Sequence, residues 1–241
     1  MNIENRLQDV RNEYRQRLLH VQGTLLQQVD AHALAHQGKM LRPQLTLLAA
    51  ALLGNEALQS RITMLKAVAV EMLHNASLLH DDVIDQASQR RGQPSVNNKW
   101  NEKVAILVGD YHLALLMQLL DEINDRETSR RINDTVIAMC RSELLQQEVL
   151  AGREMDCDIY QQIIEGKTAR LFATACAIVN PALETFGLHF GCLFQLRDDM
   201  QDAESTIWTA ELANQHHTLA YEQLMLLPGS PQRQTLLQLL A

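Results

Sequence analysis

The sequence is poor in the residues that interrupt helices. Its 241 residues include only 10 glycines and 5 prolines, and aromatic residues make up 4%. Little glycine and proline, together with abundant leucine, alanine and glutamine, favours helices over strands and loops. The shortage of aromatic residues predicts that any internal cavity is lined mainly by aliphatic side chains.

Positive charge is also scarce. The formal net charge is −8, and no basic stretch offers a footprint for a phosphate backbone. A nucleic-acid partner is therefore not expected. The same charge balance implies that anionic substrates would need cations to bridge them to the protein.

Neither a cysteine pair nor a long apolar run is present. The four cysteines form no C-x-x-C motif, so we expect buried free thiols in a reducing compartment. The N-terminal segment is charged and amphipathic, without the apolar core of a signal sequence. No apolar run approaches the ~18–20 residues that span a bilayer. We expect no transmembrane segment and a cytoplasmic location.

Helical periodicity runs through most of the chain, and no segment alternates like a strand. Residues 87–99, rich in Gly, Pro, Ser and Asn, are predicted to form a loop. No repeat or linker divides the chain, so we expect one all-α domain over 1–241, a bundle of eight or more helices. The predicted helices cover residues 3–36 (one or two helices), 43–53, 60–86, 102–122, 128–151, 156–179, 182–203 and 209–227. Gly229 and Pro231 are expected to break the last stretch.

Two segments, LLHDDVID and FQLRDDMQD, carry carboxylates at positions i, i+1 and i+4. On a helix, i and i+4 share a face, where like charges repel unless a cation joins them. Oxygen-only ligands suit Mg²⁺, which commonly bridges carboxylates and phosphates. A solvated acidic helix end is the alternative for one copy, but two copies after apolar stretches disfavour it. No Cys/His set has zinc spacing. The carboxylates are Asp81, Asp82, Asp85, Asp198, Asp199 and Asp202.

Several basic groups stand in special contexts. GKMLRP opens a helix, where free N–H groups also attract anions. A pair of arginines follows the first acidic motif, and EGKTARLF combines a lysine with a hydroxyl. Each alone is typical of an ordinary surface charge, but together they outline two anion sites, one met directly by cations and one through metal. The residues are Lys39, Arg42, His74, Arg90, Arg91, Lys167 and Thr168.

The order of these motifs is a further signal. GKMLRP, EMLHNASLLHDDVID, RRGQPS, SELLQQE, EGKTARLF and FQLRDDMQD follow one another from Gly38 to Asp202, about two thirds of the chain. In this the chain resembles the trans-isoprenyl diphosphate synthases. The resemblance implies an all-α, isoprenoid-synthase-type bundle around a central cavity, a homodimer, and Mg²⁺ as cofactor, with three ions per active site. The implied substrates are isopentenyl diphosphate and an allylic diphosphate.

The resemblance also assigns roles to single residues. Asp81 and Asp85 match bridging Mg²⁺ ligands, with Asp82 beside them, and Asp198 matches a ligand supported by Asp199 and Asp202. The positions that match the isopentenyl diphosphate site are Lys39, Arg42, His74 and Arg91. Those that match the allylic diphosphate site, or stabilise its cation, are Arg90, Lys167, Thr168 and Gln195.

The helix before Asp81 also predicts product length. Each turn rises about 5.4 Å, close to one isoprene unit, so upstream residues face progressively longer chains. The first turn presents the small Ala76 and Ser77, and the next presents Met72 and Leu73. An open path favours elongation because each isoprene buries about five carbons at ~0.8 kcal/mol each. We expect products of C20 to C40. The alternative is a floor elsewhere, such as Tyr111 or Met117.

The C-terminal part departs from the family. No lysine follows Lys167, and the part after about residue 203 is short and atypical, whereas family members carry further lysines there. Two other functions stay open: a catalytically weak homologue that serves as partner subunit or prenyl-diphosphate-binding protein, and an enzyme that ionises an allylic diphosphate without isopentenyl diphosphate.

Helices near 102–151 are apolar on more than one face, which predicts a homodimer interface or, alternatively, a helix buried within one subunit.

Overall fold

The computed structural model describes residues 3–19, 21–35, 38–201 and 207–241. These residues are predominantly helical, which confirms the all-α class. The helices are α1 (Ile3–Leu18), α2 (Leu25–Ala35), α3 (Leu41–Leu53), α4 (Asn55–Gln59), α5 (Arg61–Ile84), α6 (Val96–Lys99), α7 (Glu102–Ile123), α8 (Arg126–Leu150), α9 (Cys157–Ile164), α10 (Arg170–Ala177), α11 (Glu184–Gln201), α12 (Thr209–Met225) and α13 (Pro231–Leu240). A π-helical turn, Glu165–Ala169, joins α9 to α10, and a 3₁₀ turn, Pro181–Leu183, precedes α11.

Local capping explains where several helices begin. The side chain of Asn101 accepts a hydrogen bond from the Val104 amide at 3.0 Å and caps α7. Asp156 caps α9 in the same way, from the Ile159 amide at 2.8 Å. Such caps satisfy amides that the first helical turn leaves unpaired.

Several segments differ from the sequence prediction. Within the expected loop, β1 (Gln89–Arg90) and β2 (Gln93–Pro94) form a small antiparallel hairpin, which alternation cannot reveal at two residues per strand. Near the C-terminus, Pro231 was expected to break the helical pattern but begins α13. Ser230 accepts from the Arg233 amide at 3.0 Å, so Ser230 and Pro231 are an N-cap and first helical residue, a position that proline favours.

The chain forms two compact units. Unit 1 consists of Met1–Leu47 and Gln59–Asp125, and unit 2 of Leu48–Leu58 and Arg126–Ala241. The expectation of a single domain over 1–241 stays a prediction.

Unit 1 is built on the packing of α5 against α7, with α1 along α5. The interior of α5 is buried over most of its length, including Val68, Met72 and Ala76. Tyr14 of α1, the helix that packs along α5, is also buried. The first acidic motif therefore lies at the end of a helix that packing holds firmly.

Unit 2 is built on α11, which packs against α10, α12 and the π-helical turn. Three phenylalanines form its aromatic core: the Phe172 and Phe190 rings are 5.4 Å apart, and Phe186 lies 5.8 Å from Phe190. The second acidic motif is carried by the same α11, which fixes its orientation to this core.

Among the described residues, α5 and α7 are long and apolar enough to cross a membrane by length and composition alone. Neither helix was predicted to span a bilayer, because polar residues such as Glu71 and Asp110 interrupt their apolar runs. The core helix of a folded domain can have the same length and composition. Of the apolar windows, 67% of that of α5 and 39% of that of α7 are buried within the protein. The cytoplasmic location stays a prediction.

Candidate functional site

The first acidic motif ends α5. Asp85 is exposed at the C-cap, and its amide donates to the Asp81 carbonyl at 2.8 Å, so these two carboxylates share one face a turn apart. Asp82 is buried instead and forms an ion pair with Arg90. The Arg90 Nε also donates to Asp82 Oδ1 at 2.8 Å. Asp85 is exposed and Asp81 half-buried on the same face, while Asp82 anchors the hairpin.

The hairpin presents the arginine pair. Arg91 and Gly92 form its two-residue turn, both with positive φ (51° and 75°), as in a type I′ turn. A methyl group built on Gly38 would come within 2.7 Å of Arg91 Nη2, so the absence of a side chain at Gly38 lets this guanidinium approach the GKMLRP segment. The hairpin therefore joins two motifs that lie about fifty residues apart in sequence.

The predicted isopentenyl diphosphate residues are largely brought together in unit 1. Arg42 Nη1 lies 3.2 Å from His74 Nε2. Burial lowers the pKa of Arg42 to about 10. The charge of Arg91 lowers this pKa further, whereas the charge of Glu71 raises it. Burial also holds the pKa of His74 well below its usual value, and the charges of Arg42, Arg91 and Arg90 lower it further. His74 is therefore neutral at pH 7 and accepts from Arg42, while Lys39 is exposed.

Sequence reasoning missed Glu71, which lies one turn before His74 on α5. Its side chain is 2% exposed, and the Asn75 amide donates to its Oε1 at 3.0 Å. Burial raises the pKa of Glu71, while the bond from Asn75 and the charges of Arg42, Arg91 and Arg11 lower it. The available signal was a single acid within the apolar run VAVEML.

The second acidic motif repeats the division seen in the first. Asp198 is exposed, whereas Asp199 is buried. Gln195 Nε2 donates to Asp199 Oδ1 at 2.7 Å, and the Tyr160 hydroxyl donates to its other oxygen. Asp199 therefore has both oxygens engaged. Asp202 lies outside the described residues.

The π-helical turn carries Lys167 and Thr168. The Thr168 hydroxyl donates to Gln195 Oε1 at 2.8 Å, which extends the chain of hydrogen bonds from Asp199. Lys167 pairs with Glu143 Oε2 at 2.7 Å and donates to Gln146 at 3.0 Å. Single π-helical turns often occur at functional sites because they redirect side chains within a helix.

Sequence reasoning missed the partners of this part of the site. Tyr160, Glu143 and Gln146 hold Asp199 and Lys167, and Gly166 lets the turn approach Ser142 of α8 so closely that a side chain would overlap it. Glu143 and Gln146 belong to SELLQQE, which the motif order had included without assigning a role to them.

A comparison with known protein families identifies the family of this chain. The polyprenyl synthetase family model matches residues 23–211, most of the chain and all the motifs above. The chain belongs to the polyprenyl synthetase family.

Individual relatives agree with this. Heptaprenyl diphosphate synthase component 2 of Bacillus subtilis is 35% identical over 217 residues, 85% of this chain and 58% of that protein. An all-trans-nonaprenyl-diphosphate synthase of Rhodobacter capsulatus is 36% identical over 75% of this chain and 58% of its own length. The chain thus spans less than two thirds of these relatives.

A solved structure shows the same fold. The polyprenyl synthase of Caulobacter crescentus CB15, complexed with calcium and isoprenyl diphosphate, superposes with a TM-score of 0.89. The superposition covers 98% of this chain and 93% of that chain, at 24% identity. The isoprenoid-synthase-type fold expected from the sequence is confirmed.

The carboxylates of the two acidic motifs fit a metal that keeps much of its hydration. Within the described part of the chain, no three His, Cys, Asp or Glu side chains are grouped closely enough to hold an ion by themselves. Asp81 and Asp85 share a face and Asp198 is exposed, which suits Mg²⁺ held by one or two carboxylates, water and substrate phosphates. A tetrahedral zinc site is not formed by these residues.

A histidine pair joins α11 to α12 in unit 2, with His189 Nδ1 3.0 Å from His216 Nδ1. One ring must donate and the other accept, so two imidazolium rings cannot make this bond. Burial lowers the pKa of both, with the charge of His189 lowering that of His216 further and Glu165 opposing both shifts. The unfolded chain therefore binds more protons below about pH 6.5, and stability falls as pH falls.

We expect the free energy of unfolding to decrease as the pH is lowered from 7.5 to 5.5. In the His216→Gln variant this decrease should be smaller. Urea denaturation at both pH values measures the difference, and His217→Gln, the adjacent histidine, is the matched control. If unfolding of His216→Gln, like that of His217→Gln, depends on pH as it does in the unaltered protein, the His189–His216 pair does not contribute to the pH dependence of stability.

Proposed function

We propose that the protein is a metal-dependent trans-prenyltransferase that condenses isopentenyl diphosphate with an allylic diphosphate to give a longer all-trans polyprenyl diphosphate. The observation that carries the proposal is the contact of Asp82 with Arg90. Through it the first acidic motif, the arginine pair and the GKMLRP segment form one polar region in unit 1. Family membership and the names of the relatives support the same activity.

Each part of the proposed site has a chemical task. Arg42, His74 and Arg91 would bind the diphosphate of isopentenyl diphosphate through charge-assisted hydrogen bonds. Arg90, Lys167 and the hydroxyl of Thr168 would serve the allylic diphosphate. Mg²⁺, when bound, would act as a Lewis acid that stabilises the departing diphosphate.

Asp81, Asp85 and Asp198 are the proposed Mg²⁺ ligands, since Asp85 and Asp198 are exposed and the half-buried Asp81 shares a helix face with Asp85. Asp82 and Asp199 would act by holding Arg90 and Gln195 in place. In unit 2, the oxygens of Thr168 and Gln195 offer partial negative charge to an allylic cation. No nucleophilic side chain is needed, because the isopentenyl double bond itself attacks the allylic cation. The cation that results would then lose a proton to the departed diphosphate.

A diphosphate-release assay tests the condensation. Diphosphate should appear only when Mg²⁺, isopentenyl diphosphate and a C10 or C15 allylic diphosphate are all present. Release from the allylic substrate alone, at the same rate, would instead indicate an enzyme that ionises it without isopentenyl diphosphate.

A partner-subunit function is the second candidate. One relative is named as component 2 of a heptaprenyl diphosphate synthase, and this chain has no lysine after Lys167. Such a function predicts that the protein binds a prenyl diphosphate but releases no diphosphate until another chain is added. The presence of both acidic motifs, with Asp85 and Asp198 exposed, favours the synthase.

We further propose products of C20 to C40. Ala76 and Met72 are fully buried, Leu73 nearly so, and the partly buried Ser77 donates its hydroxyl to the His74 carbonyl at 2.9 Å. Ala76→Phe should shorten the products to C15 or C20 while consumption of primer persists, as chromatography of the products would reveal. Ala76→Val, which adds less bulk, is the control. An unchanged product distribution would show that the growing chain does not pass Ala76.

We also propose a homodimer through α7. This helix exposes Leu107 (66%) and Met117 (67%), with Ala114 on the same face between them. Exposed apolar patches of this kind mark association surfaces. Light scattering at micromolar concentration should give a dimer mass, and Leu107→Glu should give a monomer, whereas Lys103→Glu, also exposed on α7, should not. A monomeric unaltered protein would contradict the proposal.

A further inference from the structure

Glu71 is a buried acid that the proposed chemistry leaves without a task. It lies in the middle of the apolar stretch of α5, between the buried Val70 and Met72, and is 2% exposed. Burying an ionised carboxylate is costly unless other groups compensate the charge. Its neighbours must therefore explain why an acid stands here.

The Asn75 amide fixes this carboxylate from one turn further along α5. Its Nδ2 lies 3.0 Å from Glu71 Oε1 and 2.8 Å from the Glu71 carbonyl, so the same amide ties the side chain to its own backbone. Asn75 also lines a cavity of unit 1 together with Arg91 and Asp82. The acid is thus bonded to a residue that shares this cavity with the hairpin.

Positive charge is gathered around the acid. Arg42 contacts His74, one turn after Glu71, at 3.2 Å, and both Arg42 and Arg91 act electrostatically on Glu71. Arg42 and Arg91 also repel each other, since each lies within the field of the other. Arg42 is half-buried, whereas Arg91 is exposed. Two guanidiniums this close repel each other unless a negative charge compensates them.

We propose that Glu71 is a positioning residue, whose buried carboxylate keeps the guanidiniums of Arg42 and Arg91 together as a preformed receptor for a diphosphate. The proposed function enters only in naming isopentenyl diphosphate as that ligand. A preformed receptor binds more tightly because the ligand need not order the side chains itself. Asn75 contributes by fixing the carboxylate.

The direction of the effect separates this role from simple charge balance. If Glu71 only opposed the ligand's charge, its removal would tighten anion binding, because like charges would no longer repel. If it positions the arginines, its removal weakens binding despite that gain. A purely structural role would lower stability without affecting this ligand selectively.

Calorimetric titration with inorganic diphosphate and with isopentenyl diphosphate tests the proposal. We expect Glu71→Gln to weaken both at least about tenfold, the scale of one charge-assisted hydrogen bond. Asp30→Asn is the matched control: Asp30 is also fully buried in unit 1 but pairs with His112 at 2.8 Å. It should leave both affinities nearly unchanged, whatever its effect on thermal stability.

Unchanged or tighter binding by Glu71→Gln would overturn the proposal, as would an equal loss in Asp30→Asn. Should Glu71→Gln fail to fold, Asn75→Ala retains the charge but frees the carboxylate, and unchanged diphosphate binding by that variant would overturn the proposal equally. In steady-state assays, the KM for isopentenyl diphosphate should rise while that for the allylic substrate stays constant. An inactive wild type in which Glu71→Gln still weakens diphosphate binding would support the positioning role and contradict the proposed function.

Discussion

Chelation of divalent metal should abolish product formation, and Asp81→Ala should reduce kcat/KM roughly a thousandfold. Losing a metal ligand removes several kcal/mol of transition-state stabilisation, and about 4 kcal/mol corresponds to that factor. Asp198→Ala should have an effect of similar size, since its side chain is the accessible one of the second acidic pair. Steady-state kinetics over a series of Mg²⁺ concentrations measures both effects.

The structure sharpens this prediction by separating the two members of each acidic pair. Excess Mg²⁺ should partly restore the activity of Asp81→Ala and Asp198→Ala, because these variants have weakened metal sites. It should not restore the activity of Asp82→Asn, because Asp82 acts by holding Arg90. Asp121→Ala, an exposed acid on α7, is the control and should retain full activity. Undiminished activity in excess chelator would contradict the metal-based reaction.

Substitution of the basic residues should separate two substrate sites. Arg42→Ala should raise the KM for isopentenyl diphosphate about tenfold to a hundredfold, the equivalent of about 1.5–3 kcal/mol for a charge-assisted contact. Lys167→Ala should raise the KM for the allylic diphosphate by a similar factor. Its effect includes the cost of leaving Glu143 without its partner.

The double mutant Lys167→Ala with Glu143→Gln removes that cost and isolates the contribution of the lysine to binding. Lys103→Ala, an exposed lysine on α7, is the control for a general loss of positive charge. If Arg42→Ala and Lys167→Ala weaken the same substrate to the same extent, the assignment of two sites is wrong.

Much of the fold could be predicted from the sequence, because the long helices have clear apolar periodicity. The helix predicted at 60–86 is α5, Arg61–Ile84, and that predicted at 102–122 is α7, Glu102–Ile123. The hairpin of Gln89–Pro94 was not predicted, because strands of two residues are too short to show alternation of polar and apolar side chains. α13 was not predicted, because Pro231 was expected to interrupt a helix. A proline directly after a capping serine instead begins one.

The candidate site was predictable as a set of residues but not as a set of contacts. The two D-D-x-x-D motifs do not show which acid is accessible, because burial of Asp82 and Asp199 depends on Arg90, Tyr160 and Gln195. The 156–179 segment was expected to be one regular helix, yet a π-helical turn orients Thr168 toward Gln195. Such a turn leaves no mark in apolar periodicity.

The most direct test of the proposed synthase activity is product analysis with the purified protein alone. The protein is incubated with Mg²⁺, labelled isopentenyl diphosphate and a C10 or C15 allylic diphosphate, and the dephosphorylated products are separated by chromatography. The proposal predicts labelled all-trans products between C20 and C40 that require both substrates and the metal. No labelled product from the protein alone, with product only after another chain is added, would contradict a self-sufficient synthase and favour the partner-subunit function.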